Sequence, residues 1–292
     1  MSRNEKNKST TQMADKKWFM VMAAVIVYFA YAGAAWAGTG WGESTIVIVT
    51  VTERQKLLAS DGAANDQFGY SVSISGDYAI VGAYADDDKG SNSGSAYVFK
   101  RDGTNWSEQQ KLTASDGAAS DLFGRSVSIS GDYAIVGADY DDDNGSYSGS
   151  AYIFKWDGSN WVQQQKLIAS DGAANDYFGY SVSISGDYAI VGAYVDDGSK
   201  GSAYIFKRNG TSWSQQAKLL ASDGATSDLF GCSVSISGDH AIVGAYQNDD
   251  EGTDSGSAYA FRFSPRADLN DDCKVDFADF AIFADWWLYG TD

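Results

Sequence analysis

Apolar and polar residues alternate strictly through much of the chain. In Ser71-Val72-Ser73-Ile74-Ser75 every second position is apolar, the period of a strand buried on one face. Ser75-Gly76-Asp77-Tyr78 has the length of a two-residue hairpin loop, with glycine free to take positive φ. Ala79-Ile80-Val81 returns as a short apolar strand, and Ala96-Tyr97-Val98-Phe99 reads as a third, rich in aromatic and β-branched residues. Residues 106–112 predict a fourth. No part of this region has helical periodicity over a useful length.

The same unit is written four times. Ser-Val-Ser-Ile-Ser-Gly-Asp-Tyr-Ala-Ile-Val-Gly-Ala begins at Ser71, Ser126 and Ser181, and returns at Ser233 with His240 in place of tyrosine. Spacings are 55, 55 and 52, the short one reflecting a trimmed loop at Asp196-Asp197-Gly198. Around this string stand a Gln-Lys-Leu segment, a Ser-Asp-Gly-Ala loop, Asp-x-Phe-Gly, an acidic loop and Gly-Ser-Ala-Tyr-x-Phe. Four short strands in a unit of roughly 50 residues predict an all-β fold of β-propeller blades. A stacked β-solenoid is the rival architecture, although its turns are usually shorter.

Each Phe-Gly (Phe68-Gly69, Phe123-Gly124, Phe178-Gly179, Phe230-Gly231) precedes a Gly-Ala (Gly82-Ala83, Gly137-Ala138, Gly192-Ala193, Gly244-Ala245). This resembles the FG-GAP repeat, the blade motif of integrin α-chain propellers and of many bacterial secreted proteins. The resemblance covers residues 51–263 and implies an interaction scaffold. The motif's final proline is replaced by Tyr84, Asp139, Tyr194 and Tyr246. The integrin-type calcium loop is replaced by a tight hairpin with one carboxylate, which cannot wrap an ion needing six to eight oxygens. Integrin-like propellers have seven blades. Four units leave no exposed edge only if the ring shuts, so the expectation is a closed four-bladed ring, with residues 45–51 as a strand pairing the last blade.

Composition narrows the function. The 292 residues carry 39 Asp+Glu against 21 Lys+Arg, a net charge of −18. Such a chain repels nucleic acid and anionic membrane surfaces and suits cations or basic partners. Aromatics at 14% are too rich for a disordered acidic chain. The single histidine, His240, argues against multi-histidine metal sites and most histidine-based catalysis.

The acidic loops are Asp86-Asp87-Asp88, Asp141-Asp142-Asp143, Asp196-Asp197 and Asp249-Asp250-Glu251. Equivalent loops of successive blades emerge on one face, so they form either a carboxylate rim for cations or basic partners, or solvated turns. Asp61 and Asp66, with their counterparts, are either ion ligands or ordinary turn residues. Trp106, Trp161 and Trp213 are either a sugar-stacking platform or packing between blades.

The N-terminus reads as an export signal. Arg3, Lys6, Lys8, Lys16 and Lys17 precede an apolar run over 18–32, and Ala35-Trp36-Ala37 supplies a small-x-small cleavage site. The competing reading is an uncleaved anchor, since no charge appears between Trp18 and Glu43. Removal of 1–37 leaves a short segment 38–50 before the repeats and places the protein outside the cytosol, secreted or at the cell surface.

The only proline, Pro265, marks the start of a tail, 264–292. Counting Asp268 as the first loop position, Asn270, Asp272, Asp276 and Asp279 put side-chain oxygens at positions 3, 5, 9 and 12, and Lys274 offers its carbonyl at 7. That is EF-hand spacing, suited to Ca²⁺. Phe277, Phe280, Ala281, Phe283 and Ala284 then recur at helical spacing. The segment resembles a dockerin repeat, which implies a cohesin-like or cell-surface docking partner. Cys273 replaces the usual glycine at position 6, and one copy is present where a dockerin has two. Whether Cys273 pairs with Cys232 depends on geometry that sequence does not supply.

Three function classes stand. The first is a secreted, non-catalytic binding protein whose propeller is the scaffold for a protein or glycan ligand and whose tail docks through calcium. The second is a carbohydrate-binding accessory of a polysaccharide-degrading system. The third and weakest is a hydrolase using paired carboxylates, because nearly every aspartate recurs in each unit and so reads as structural.

Overall fold

The computed structural model describes residues 52–263. The export signal, the segment 38–50 with its closing strand, and the tail with its calcium loop lie outside the described residues. Four antiparallel sheets follow in chain order. The first holds β1 (Val72–Ser75), β2 (Tyr78–Ala83), β3 (Ser95–Asp102) and β4 (Asn105–Leu112), each strand hydrogen-bonded to the next. The second holds β5 (Ser126–Ser130), β6 (Tyr133–Ala138), β7 (Ser150–Trp156) and β8 (Trp161–Leu167). The third holds β9 (Phe178–Ser185), β10 (Tyr188–Ala193), β11 (Ser202–Asn209) and β12 (Ser212–Leu219), with a short kinked turn over Asp196–Ser199 in its trimmed loop, where Asp197 and Gly198 take positive φ. The fourth has three strands among the described residues, β13 (Ser233–Ser237), β14 (His240–Ala245) and β15 (Ser257–Arg262). The alternating pattern, the Gly76-Asp77 hairpin and the order of strands agree with the sequence reading, and the architecture is propeller-like.

The core lies between sheets. Ile80, Ala96 and Val98 on one face of the first sheet pack against Val127, Ile129 and Phe154 on the facing side of the second. Ile135, Ala151 and Ile153 meet Val182, Ile184 and Phe206 in the same way. Each blade therefore buries its apolar residues against its neighbours in the chain, the condition that makes repeats need one another.

Two devices set the spacing. First, serines of one innermost strand bond the backbone of the next: Ile129 N donates to Ser73 Oγ at 3.2 Å, Ile184 N to Ser128 Oγ at 3.2 Å, and Ile236 N to Ser183 Oγ at 3.2 Å. The polar half of the alternating pattern thus supplies acceptors where no strand partner exists. Second, the two halves of the Phe-Gly/Gly-Ala motif meet across the joint. A Cβ added to Gly137 would lie 1.9 Å from the Gly179 carbonyl oxygen, and one added to Gly82 would lie 1.9 Å from that of Gly124. Only glycine permits this approach.

The expected closed ring is not formed by the described residues. Among the described residues no strand of the first sheet packs extensively against a strand of the fourth. Val72 and Ile74 are 67% and 66% exposed, whereas their counterparts Val127 and Ile129 are 6% and 4% exposed. The physical reason is that the outward faces of the first and last blades have no neighbouring blade within the four repeats.

Candidate functional site

In three of the four acidic loops the first aspartate is neither a free rim carboxylate nor part of a solvated turn. Asp86, Asp141 and Asp196 are buried. In the second blade Lys166 Nζ lies 2.8 Å from Asp116, 2.9 Å from Asp141 and 2.5 Å from Asp143. Lys111 repeats this with Asp61, Asp86 and Asp88 at 2.8, 2.9 and 2.5 Å. Lys218 makes the smaller version, with Asp171 at 2.7 Å and Asp196 at 2.6 Å. Buried tyrosines complete each cluster. Tyr97 OH donates to Asp61 and Asp86, Tyr152 OH to Asp141, and Tyr204 OH to Asp196. Burial, the largest single influence, raises the Asp86 and Asp116 carboxyls, but the lysine, backbone and tyrosine hydrogen bonds and the lysine charge together outweigh it and hold both below the usual range. Asp116, Asp141 and Asp143 converge as a metal-binding trio would, with an ammonium already among them.

The remaining loop carboxylates close backbone turns. Asp87 Oδ1 accepts from Asn92 N, Asp142 Oδ1 from Tyr147 N and Asp249 Oδ1 from Asp254 N, each at 2.7 Å. Asp66, Asp121, Asp176 and Asp228 each accept from an amide three residues earlier, which favours the turn reading for that loop. Asp197 and Asp250 are exposed. Of the tryptophans weighed as a platform, Trp161 and Trp213 are buried in the core and Trp106 packs against the cluster of Val81, Ala83, Tyr97 and Phe99. Glutamines of the preceding segment fix their backbones, Gln55 onto Trp106, Gln110 onto Trp161 and Gln165 onto Trp213. They are packing residues. His240 is exposed beside Asp239, 2.8 Å away.

The structure assembles a different surface, missed by the sequence reading. Arg125 stands where the other repeats have Tyr70, Tyr180 and Cys232, and Asp139 where they have Tyr84, Tyr194 and Tyr246. The Arg125 guanidinium lies 6.0, 5.9, 5.8 and 5.1 Å from the ring centres of Tyr70, Tyr84, Tyr140 and Tyr180, within cation–π range. Its Nε is 3.4 Å from Oδ2 of fully buried Asp139. Neither Asp139 oxygen has a hydrogen-bond partner, and burial pushes its carboxyl up to about 7 despite Arg125. The aromatic array continues through Tyr177, stacked on Tyr147 at 5.7 Å, and through Tyr194, 4.2 Å from Tyr180. Tyr70 and Tyr147 remain exposed. The available signal was the two positions at which the second repeat departs from its siblings. Cys232 Sγ lies 3.3 Å from the Gly244 carbonyl, and Cys273 is outside the described residues.

Comparison with known proteins identifies the repeat. No curated protein matches the sequence. Among solved structures, the crystal structure of Saccharomyces cerevisiae Sqt1 shares 10% identity with a TM-score of 0.39, over 68% of this chain and 46% of that one. The chain thus spans less than half the length of that protein. The FG-GAP repeat model matches residues 51–99, 106–154, 161–206 and 213–261. With more than half of its length in four consecutive copies of that repeat, the chain belongs to the FG-GAP repeat family.

Proposed function

We propose that this is a secreted or cell-surface, non-catalytic interaction protein. Its blades are the scaffold, the tyrosine surface around Arg125 is the contact face for a protein or glycan, and the tail loop from Asp268 to Asp279 is a calcium-binding docking module. The observation that carries the reading is the convergence of tyrosines and one arginine from three successive blades at a partly exposed site. Tyrosine and arginine are the residue types that concentrate binding energy at interfaces. The lysine-neutralised aspartates argue in the same direction, since carboxylates held by an ammonium are poor general acids or bases.

The test compares the wild type with a Tyr70→Ala/Tyr147→Ala double variant on a panel of insoluble polysaccharides. Retention that falls at least tenfold in the variant assigns the tyrosine face to glycan. Equal retention by both would refute that face as the contact. The carbohydrate-accessory reading is favoured by the exposed stacked rings, and a wild type without retention sinks it. The tail is tested by calorimetric titration of Ca²⁺ into chelator-treated protein beside Asp268→Ala, with one site expected in the wild type and none in the variant.

A further inference from the structure

The two ends of the four-blade run are complementary to each other. At each internal joint the same five contacts recur. A serine row meets the amides of the next inner strand. The Phe-Gly loop of the later blade enters a notch lined by two glycines of the earlier one, with Phe123 N donating to Ser93 O at 3.1 Å, Phe178 N to Ser148 O at 3.1 Å and Phe230 N to Lys200 O at 2.9 Å. Apolar faces join. An outer strand closes the earlier sheet, with Leu112, Leu167 and Leu219 opposite Ala96, Ala151 and Ala203. A lysine on that strand enters the carboxylate cluster.

Half of each contact stands unused at either end. On the fourth blade Ser235 and Ser237 are exposed, and Ile242 is 55% exposed where Ile80, Ile135 and Ile190 are 0% exposed. Its notch, lined by Cys232, Ser233, Gly244, Tyr246, Gly256 and Ala258, is open. A Cβ at Gly256 would meet nothing nearer than Tyr246 O at 3.2 Å, whereas at Gly94, Gly149 and Gly201 it would lie 2.0 Å from a phenylalanine carbonyl. Strand β15 has no outer partner among the described residues. Asp223 and Asp250 occupy the two flanking cluster positions, with buried Asn248 where the other blades have Asp86, Asp141 and Asp196, and no lysine of the described residues is paired with them; burial together with Asp223 raises the Asp250 carboxyl. On the first blade Val72 and Ile74 are uncovered, and Phe68-Gly69 enters no notch of another blade among the described residues, a Cβ at Gly69 meeting nothing within 4 Å. Residues 53–57 align with an outer strand, with Gln55, Lys56 and Leu57 in the places of Gln110, Lys111 and Leu112 and Arg54 in that of Gln109. They lie on β4 through the same glutamine contact but belong to no sheet.

We propose that the partner for both ends is a second copy of this chain, docked head to tail: residues 53–57 of each copy form the outer strand of the other's fourth sheet, Lys56 enters the Asp223–Asp250 cluster, and Phe68-Gly69 fills the Gly244–Gly256 notch. Reciprocal exchange closes a pair without free edges, the symmetric outcome a head-to-tail contact reaches when its rotation closes. The inference does not depend on the ligand of the tyrosine face.

Sedimentation velocity of the full chain is expected to show twice the 31.3 kDa chain mass, and Ile74→Asp or Ile242→Asp to return it to one. Both residues are exposed, so each variant retains the far-UV circular dichroism of the wild type. Mixing the two variants restores a species of two chains, because each still owns one intact end. Lys56→Glu weakens association at least tenfold and Asp250→Lys added to it restores pairing. In a Cys232→Ser/Cys273→Ser background, Leu57→Cys with Ala258→Cys, opposite one another by the repeat register and within disulfide reach, cross-links between chains. A wild type that stays monomeric, or a cross-link formed within one chain, overturns the proposal. A head-to-tail series longer than two would overturn the closed pair.

Discussion

Each lysine of the carboxylate clusters replaces what would otherwise be several uncompensated negative charges at a buried position. Lys166→Met leaves Asp116, Asp141 and Asp143 together, with Asp141 inside the protein. Removing one partner of a buried ion pair is strongly destabilising, here by about 3 kcal/mol, measured by urea unfolding at pH 7. The difference from wild type should shrink below about pH 4. Asp116 is held below its usual range in the folded state, so its contribution is present above the unfolded pKa and is lost as pH falls through the folded one. Asp139 has the opposite sign. Its carboxyl is pushed up to about 7, so the folded state prefers it protonated and loses stability as pH rises from about 4 to 7. Thermal melts at pH 5 and pH 8 should show wild type falling relative to Asp139→Asn at the higher pH. A constant difference between the two proteins would show that Asp139 is ionised throughout.

At the scale of the element, the Phe-Gly/Gly-Ala motif is a joint between blades rather than a turn within one. Gly137→Ala drives a methyl group into the Gly179 carbonyl, 1.9 Å away, and should cost about 3 kcal/mol through forced separation of two sheets. Gly131→Ala sits in a hairpin at φ +55 with open space around it and should cost about 1 kcal/mol, a local backbone penalty. Equal losses in denaturant melts of the two variants would refute the joint. The β3–β4 register shift between Val98 and Phe99 recurs between Ile153 and Phe154 and between Ile205 and Phe206. The bulge therefore belongs to the unit, and it follows the register at which Tyr97, Tyr152 and Tyr204 stand opposite the cluster lysines Lys111, Lys166 and Lys218.

Over the whole molecule, stability is shared between neighbours, as in other repeat arrays. Blades two and three are covered on both faces, while the first and fourth are covered on one. Amide exchange at low protein concentration should be slowest in β6 and β10 and fastest in β1, β13 and β15, the strands on the uncovered faces. Raising the concentration into the associated range should slow the end strands selectively. Uniform exchange across all four sheets at low concentration would mean that the ends are already covered within one chain. The described residues hold no helix long and apolar enough to cross a membrane.

The sequence by itself determined the repeat, the four-strand unit, the hairpins and the family resemblance. These rest on local rules: side chains alternate with period two along a strand, and glycine marks the tight turns. Tertiary structure alone decided the fate of the chemistry. Lys166 meets Asp141 across 25 residues and Asp116 across 50, so neither an ion rim nor solvated turns describes those aspartates. Trp161 and Trp213 are buried because an adjacent blade covers them, a fact about packing rather than composition. The arginine-centred tyrosine surface exists because three blades bring one equivalent corner together, and only the odd residues of the second blade, Arg125 and Asp139, give it charge. The open ends were equally hidden, since a pattern that predicts a strand does not say which sheet receives it.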